Sequence, residues 1–98
     1  NGLVKSSAHE VGTLGITVNA VCPGLIETDI VKEVLPLAAE SMGLESYEAA
    51  LELFAQESAI KRLNEVDDVA DVCTLLTSEA GAGITGSLIS IDGGTSPY

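Results

Sequence analysis

Ninety-eight residues leave room for one domain at most, and an apolar fraction of 46 % with positive mean hydropathy excludes an intrinsically disordered chain. Fifteen acids against four bases give a formal net charge of −11, which argues against a nucleic-acid partner because phosphate neutralisation needs clustered Lys and Arg. No apolar run approaches the ~20 residues of a membrane span, and no secretory leader opens the sequence, so a cytoplasmic protein with no membrane partner is expected.

Aromatics are only 3 %, and glycines number 10. The apolar content is therefore Ala, Val, Leu and Ile, which suits an α/β fold of closely packed helices and strands. Cys22 and Cys73 lie far apart with no CxxC spacing, so neither a disulfide framework nor a zinc site is expected. Both are read as buried, reduced thiols.

The chain opens on Asn1-Gly2 and moves straight into helical periodicity. Leu3, Val4, Ser7, Ala8 and Val11 share one face, and no cap precedes them. Residues 1–13 are therefore expected to be the end of a helix entered from further upstream, stopped by Gly12 and Gly15. Ile16–Val21 reads as a strand of β-branched residues. Asn19 is out of place in it, and a buried amide must find partners, so it is expected to tie the strand to a neighbouring loop. Pro23 cannot donate to a ladder and holds Cys22 extended. Gly24 then lets the chain turn or lets a ligand approach the backbone. Residues 16–28 thus read as a strand delivering a ligand-facing loop.

Residues 29–58 form a long helical insert, either a lid over a pocket or a packed subdomain. Its first helix would cover 29–43, with Pro36 marking a kink or break. Its second would cover 46–58, capped by Ser46, with Tyr47, Ala50, Leu51 and Phe54 on one face. Lys61-Arg62 is the only adjacent basic pair and reads as solvated surface or a helix-end cap. Asn64 is the expected N-cap of a helix over 64–78, with acids in its first turn and an apolar stripe through Val66, Val69, Ala70, Cys73, Leu76 and Thr77. Ala80–Gly86 reads as a helix-to-strand link rather than a phosphate loop, since no GxGxxG or GxxxxGK follows a strand. Leu88–Asp92 is a second strand, closed by the Asp92-Gly93-Gly94 turn within 87–94. Two strands joined by a long helical crossover should be parallel.

Chemistry is sparse. His9 is the sole histidine and has no partner set for a general base. The acids show no dyad or metal-ligand spacing, so no catalytic and no metal residues are assigned. Thr28, and after it Ser90, are the hydroxyls with a plausible task.

The run VNAVCPGLIETD, the acidic-capped helix RLNEVDDVADVCTLLTSE and the ending SEAGAGITGSLISIDGG together resemble the C-terminal part of the short-chain dehydrogenase/reductase family. The resemblance covers essentially the whole chain, and it points weakly toward hydroxybutyrate dehydrogenases and oxoacyl reductases. It implies a Rossmann-like doubly wound parallel sheet, of which Ile16–Val21 and Leu88–Asp92 would be the last two strands. It implies NAD or NADP as cofactor, with Pro23, Gly24 and Ile26 lining the nicotinamide side and the Thr28 hydroxyl, together with the Ile26 backbone, holding the carboxamide. The competing role for Thr28 is a helix N-cap for residues 29 onward, and both could hold. The insert 29–58 would be the substrate lid, and the parent a homo-oligomer, dimer or tetramer, acting on a small alcohol or carbonyl.

The family's glycine-rich motif, its cofactor-selecting residue and its catalytic Ser, Tyr and Lys do not occur in this sequence. Tyr47, Tyr98 and Lys5 do not fill the catalytic positions. A truncated, inactive fragment of a reductase is thus expected, marginal and prone to associate. The alternative is a non-catalytic association module derived from the same fold.

Overall fold

In a computed structural model that describes residues 1–96, the chain divides into two compact units. The first is built from residues 1–22 and 66–91, the second from residues 23–65 and 92–96.

The first unit opens with helix α1, Gly2–Val11. The expectation of an uncapped start is corrected: the Asn1 side chain accepts from the Gly2 amide at 2.7 Å, and the Asn1 carbonyl accepts from Lys5 at 3.0 Å. A short 3-10 turn over Gly12–Leu14 follows, closed by Gly15. Ala8 is buried, whereas Leu3 stays 80 % exposed although periodicity put it on the apolar face.

Strand β1 is Ala20–Pro23, later than the expected Ile16–Val21. The reason lies in what stands opposite. Residues 18 and 19 meet a bent loop rather than a strand. The Val18 amide bonds the Thr85 hydroxyl at 3.0 Å, and Gly86 donates to the Val18 carbonyl at 2.7 Å. Regular pairing with β2, Leu88–Ile91, begins only beyond them, and the two strands are neighbours in one parallel sheet. Asn19 spans the irregular stretch as expected: its amide donates to the Ile84 carbonyl at 2.9 Å, and its oxygen accepts from Ser87 at 3.1 Å.

Helix α4, Val66–Leu76, carries Asp67 and Asp68 in its first turn, where the helix dipole favours them. It starts two residues later than expected, so Asn64 is not its cap. Cys22 and Cys73 are both exposed, contrary to the reading of buried thiols. Two strands offer a face only ~10 Å wide, too narrow to bury the stripe on α4.

The second unit is a helical hairpin. Helix α2, Asp29–Ser41, runs unbroken through Pro36, so of the expected kink or break the break does not occur. Pro36 is exposed, and the Lys32 carbonyl it leaves without a helical donor lies on an equally exposed residue. Ser46 caps helix α3, Tyr47–Glu57, by accepting from the Ala49 amide at 3.1 Å. The hairpin core is Leu35, Ala39 and Ala50, with Tyr47, Leu51 and Phe54 packed against it, the face that helical spacing foretold. At the far end of α3, Lys61 adopts a left-handed backbone and its ammonium caps the Gln56 carbonyl at 2.8 Å. The buried Ser58 hydroxyl sits between the Ala55 and Arg62 carbonyls.

Candidate functional site

The loop that leaves β1 is fixed from several sides. Gly24 lies so close to Asp92 that a Cβ there would stand 3.0 Å from the Asp92 Cβ and 3.1 Å from its Cα. A larger residue would fit only if Asp92 gave way by a few tenths of an ångström. Asp92 is itself held in place: its carboxylate accepts from the Gly94 amide at 3.0 Å and from Ser96 at 2.9 Å. Ile26 forms a parallel bridge with Asn64, which is what Asn64 does instead of capping α4. Gly93, with a φ of +65°, packs so near Ile60 that a Cβ would meet its side chain at 2.9 Å.

Thr28 ends the loop. Its side chain caps α2, accepting from the Val31 amide at 3.4 Å, a long and weak bond. The hydroxyl proton is not used in that bond and remains available to an acceptor. Immediately before it, the Glu27 carboxylate accepts from the Tyr47 hydroxyl at 2.9 Å. Burial holds the Tyr47 phenol above its ordinary value of 10.0, aided by the bond to Glu27 and by the charges of Glu27 and Glu48.

Pro23, Gly24, Ile26 and Thr28 therefore follow one another along a single loop. Pro23, Gly24 and Thr28 are exposed and Ile26 is half-buried. A braced turn beside a hydroxyl donor can seat a flat, amide-bearing group, with the Pro23-Gly24 turn against one face and the Thr28 hydroxyl free to donate to an oxygen. His9 is exposed on α1, and Ser90 is exposed on β2. Tyr98 lies outside the described residues. Among the described residues no cluster of His, Cys, Asp or Glu could hold a metal ion.

Glu27, Tyr47, Asn64 and Asp92 were not flagged by sequence as parts of this loop's support. Asp92-Gly93-Gly94 signalled a turn, and an aspartate at such a place commonly bonds amides ahead of it. The pairing of Glu27 with Tyr47 leaves no local signal, since 20 residues separate them.

Comparison with known proteins agrees with this architecture. A family profile described as enoyl-(acyl carrier protein) reductase matches residues 1–96. The chain is 34 % identical over 93 residues to a D-beta-hydroxybutyrate dehydrogenase of Rhizobium meliloti, covering 95 % of this chain and 36 % of that protein. A short chain dehydrogenase family protein from Francisella tularensis superposes with a TM-score of 0.87 at 31 % identity, over 96 % of this chain and 38 % of that one. Actinorhodin polyketide ketoreductase, solved with NADPH, gives a TM-score of 0.87 at 29 % identity, over 99 % and 37 %. The chain belongs to the short-chain dehydrogenase/reductase family, its α/β architecture is that of the family's Rossmann fold, and it spans little more than a third of the length of these relatives.

Proposed function

We propose that this chain supplies the nicotinamide-facing wall and the substrate lid of an NAD(P)-dependent oxidoreductase that interconverts an alcohol and a carbonyl. The observation that carries the reading is the braced Pro23–Thr28 loop, in a chain whose relative is solved with NADPH. When bound, the nicotinamide would give or take the hydride. Pro23 and Gly24 would set the face of its ring, and Ile26 and Thr28 would hold its carboxamide. The Thr28 hydroxyl would donate a hydrogen bond to the amide oxygen, and the Ile26 backbone would meet the amide nitrogen. Helices α2 and α3 would cover the substrate and exclude water.

The full-length protein is, in this proposal, a cytoplasmic homo-oligomer acting on a small alcohol or carbonyl, with no nucleic-acid or membrane partner. No helix of the described residues is long and apolar enough to cross a membrane. The proton-moving Tyr, its Lys and the Ser would come from sequence outside this chain, so the chain alone is expected to bind without turnover.

Saturation-transfer NMR with NADH tests the reading. Transfer to the nicotinamide ring protons, weakened severalfold by Thr28→Val, is expected. Absence of any transfer to that ring would sink it, and would favour the non-catalytic association module. Sequence upstream of Asn1 in the full gene is expected to encode a Tyr-x-x-x-Lys pair.

A further inference from the structure

We infer that Glu27 and Tyr47 form a latch that positions Thr28, so that the entry to α2 is set by the start of α3. This rests on the nicotinamide-facing reading of the loop and deepens it by naming what holds its polar contact in place.

Thr28 needs such a device. Its own cap bond to Val31 is 3.4 Å long, at the limit of a useful hydrogen bond. A threonine held by that bond alone would fray with the first turn of α2. Tyr47 is better anchored. It is the first residue of α3, behind the Ser46 cap, and its ring packs against the Leu35, Ala39 and Ala50 core. From that anchor the phenol donates to the Glu27 carboxylate at 2.9 Å, a charge-assisted bond that outranks a neutral one. The backbone step from Glu27 to Thr28 is thereby pinned to the hairpin core. Tyr47 also lines an open cavity of about 480 Å³ with Pro36, Leu44 and Ser46 among others. Tyr47 and Glu27 are positioning residues: neither is assigned a contact with the ligand.

Amide hydrogen exchange on the whole chain decides it, with wild type compared with Tyr47→Phe and Glu27→Gln. Phenylalanine keeps the packed ring and removes only the bond. The amides of Val31 and Lys32, both of which donate to Thr28, are expected to exchange roughly tenfold faster in Tyr47→Phe. Those of Ala50–Ala55 inside α3 should stay as in wild type, and Glu27→Gln, which keeps an acceptor, should retain most of the protection. Unchanged exchange at Val31 and Lys32 in Tyr47→Phe would overturn the latch. A second readout, the NADH-dependent shift of the Thr28 resonance, should weaken severalfold in Tyr47→Phe and return toward wild type in Glu27→Gln. If wild type shows no NADH-dependent shift while exchange still separates the variants, the latch stands and the nicotinamide reading falls.

Discussion

At the scale of single residues, three side-chain positions carry the sharpest expectations. Gly24→Ala would press a methyl against the Asp92 Cβ and Cα at 3.0 and 3.1 Å. Asp92, part of it backbone, must give by a few tenths of an ångström, and a cost of about 1 kcal/mol is expected, read as a lower urea midpoint with an unchanged slope. Asn19→Ala would leave the Ile84 carbonyl and the Ser87 amide without the partners they have at 2.9 and 3.1 Å. The groups are part-buried, and a loss of about 1–3 kcal/mol is expected by the same denaturation. Asn19→Asp, which keeps only the acceptor, should fall between. The third position is Tyr47. The sequence has no Trp, so tyrosinate absorbance in a Tyr98→Phe background reports this phenol alone. Its midpoint should lie above 10.0 because of burial, the Glu27 bond and the charges of Glu27 and Glu48. The unfolded chain releases this proton first. Stability from the neutral phenol is therefore complete below about pH 10 and is lost as pH rises through the folded midpoint. A midpoint at or below 10.0 would contradict the half-buried, bonded phenol.

Among the secondary-structure elements, the two helices of the hairpin differ in how firmly they begin. Ser46 caps α3 at 3.1 Å and Thr28 caps α2 at 3.4 Å. Ser46→Ala is expected to cost about 1 kcal/mol, and Thr28→Ala less. Comparison of the two midpoints checks the order. The same contrast explains what could be read from sequence. Ser46 with Tyr47, Ala50, Leu51 and Phe54 is a cap followed by a 3.6-residue period, information held within a dozen residues. Asn19 was legible because a polar residue among Val and Ala demands a partner. The start of β1 was not legible. Ile16–Asn19 has strand composition, but the residues across from it form a bent loop, and composition says nothing about what stands opposite. Asn64 was misplaced for a similar reason. It has the chemistry of a cap, yet its backbone is engaged with Ile26, 38 positions earlier in the chain. Pro36 was expected to kink or break α2; the helix runs on through it, its turn facing water, which the sequence does not record.

For the molecule as a whole, the small size of the core governs behaviour. Among the described residues the buried apolar ones are Ala8, Leu35, Ala39, Ala50, Ala55 and Ile91, four of them alanine. Large apolar side chains remain outside: Leu3 on α1, and Ile30, Val34 and Leu37 along one side of α2, at 72, 56 and 68 % exposure. Isolated exposed leucines are ordinary, whereas a run at positions i, i+4 and i+7 of one helix forms a contiguous patch that favours association. Sedimentation velocity is expected to show concentration-dependent self-association at neutral pH despite the net charge of −11. Ile30→Lys with Leu37→Glu should reduce it, and a strictly monomeric wild-type chain would contradict it. The buried state of Cys22 and Cys73 was the sequence's largest error at this scale. Burial depends on what covers a face, and no pattern along α4 or β1 records whether a cover is present.

The bracing of Gly24 and of the end of α3 by residues 92–96 has a consequence for the order of synthesis. Ala59 and Ile60 both donate to the Gly93 carbonyl, at 2.8 and 3.2 Å, and Gly24 rests on Asp92. Translation at about 5–20 residues per second delivers Asp92 roughly 2–7 s after Glu57 completes α3. During that interval the hairpin can pair its helices, but the Pro23–Thr28 loop has no floor and Ala59 no acceptor. The Pro23–Thr28 loop is thus the part of its unit that a nascent chain finishes last, although its residues are among the first of that unit to leave the ribosome.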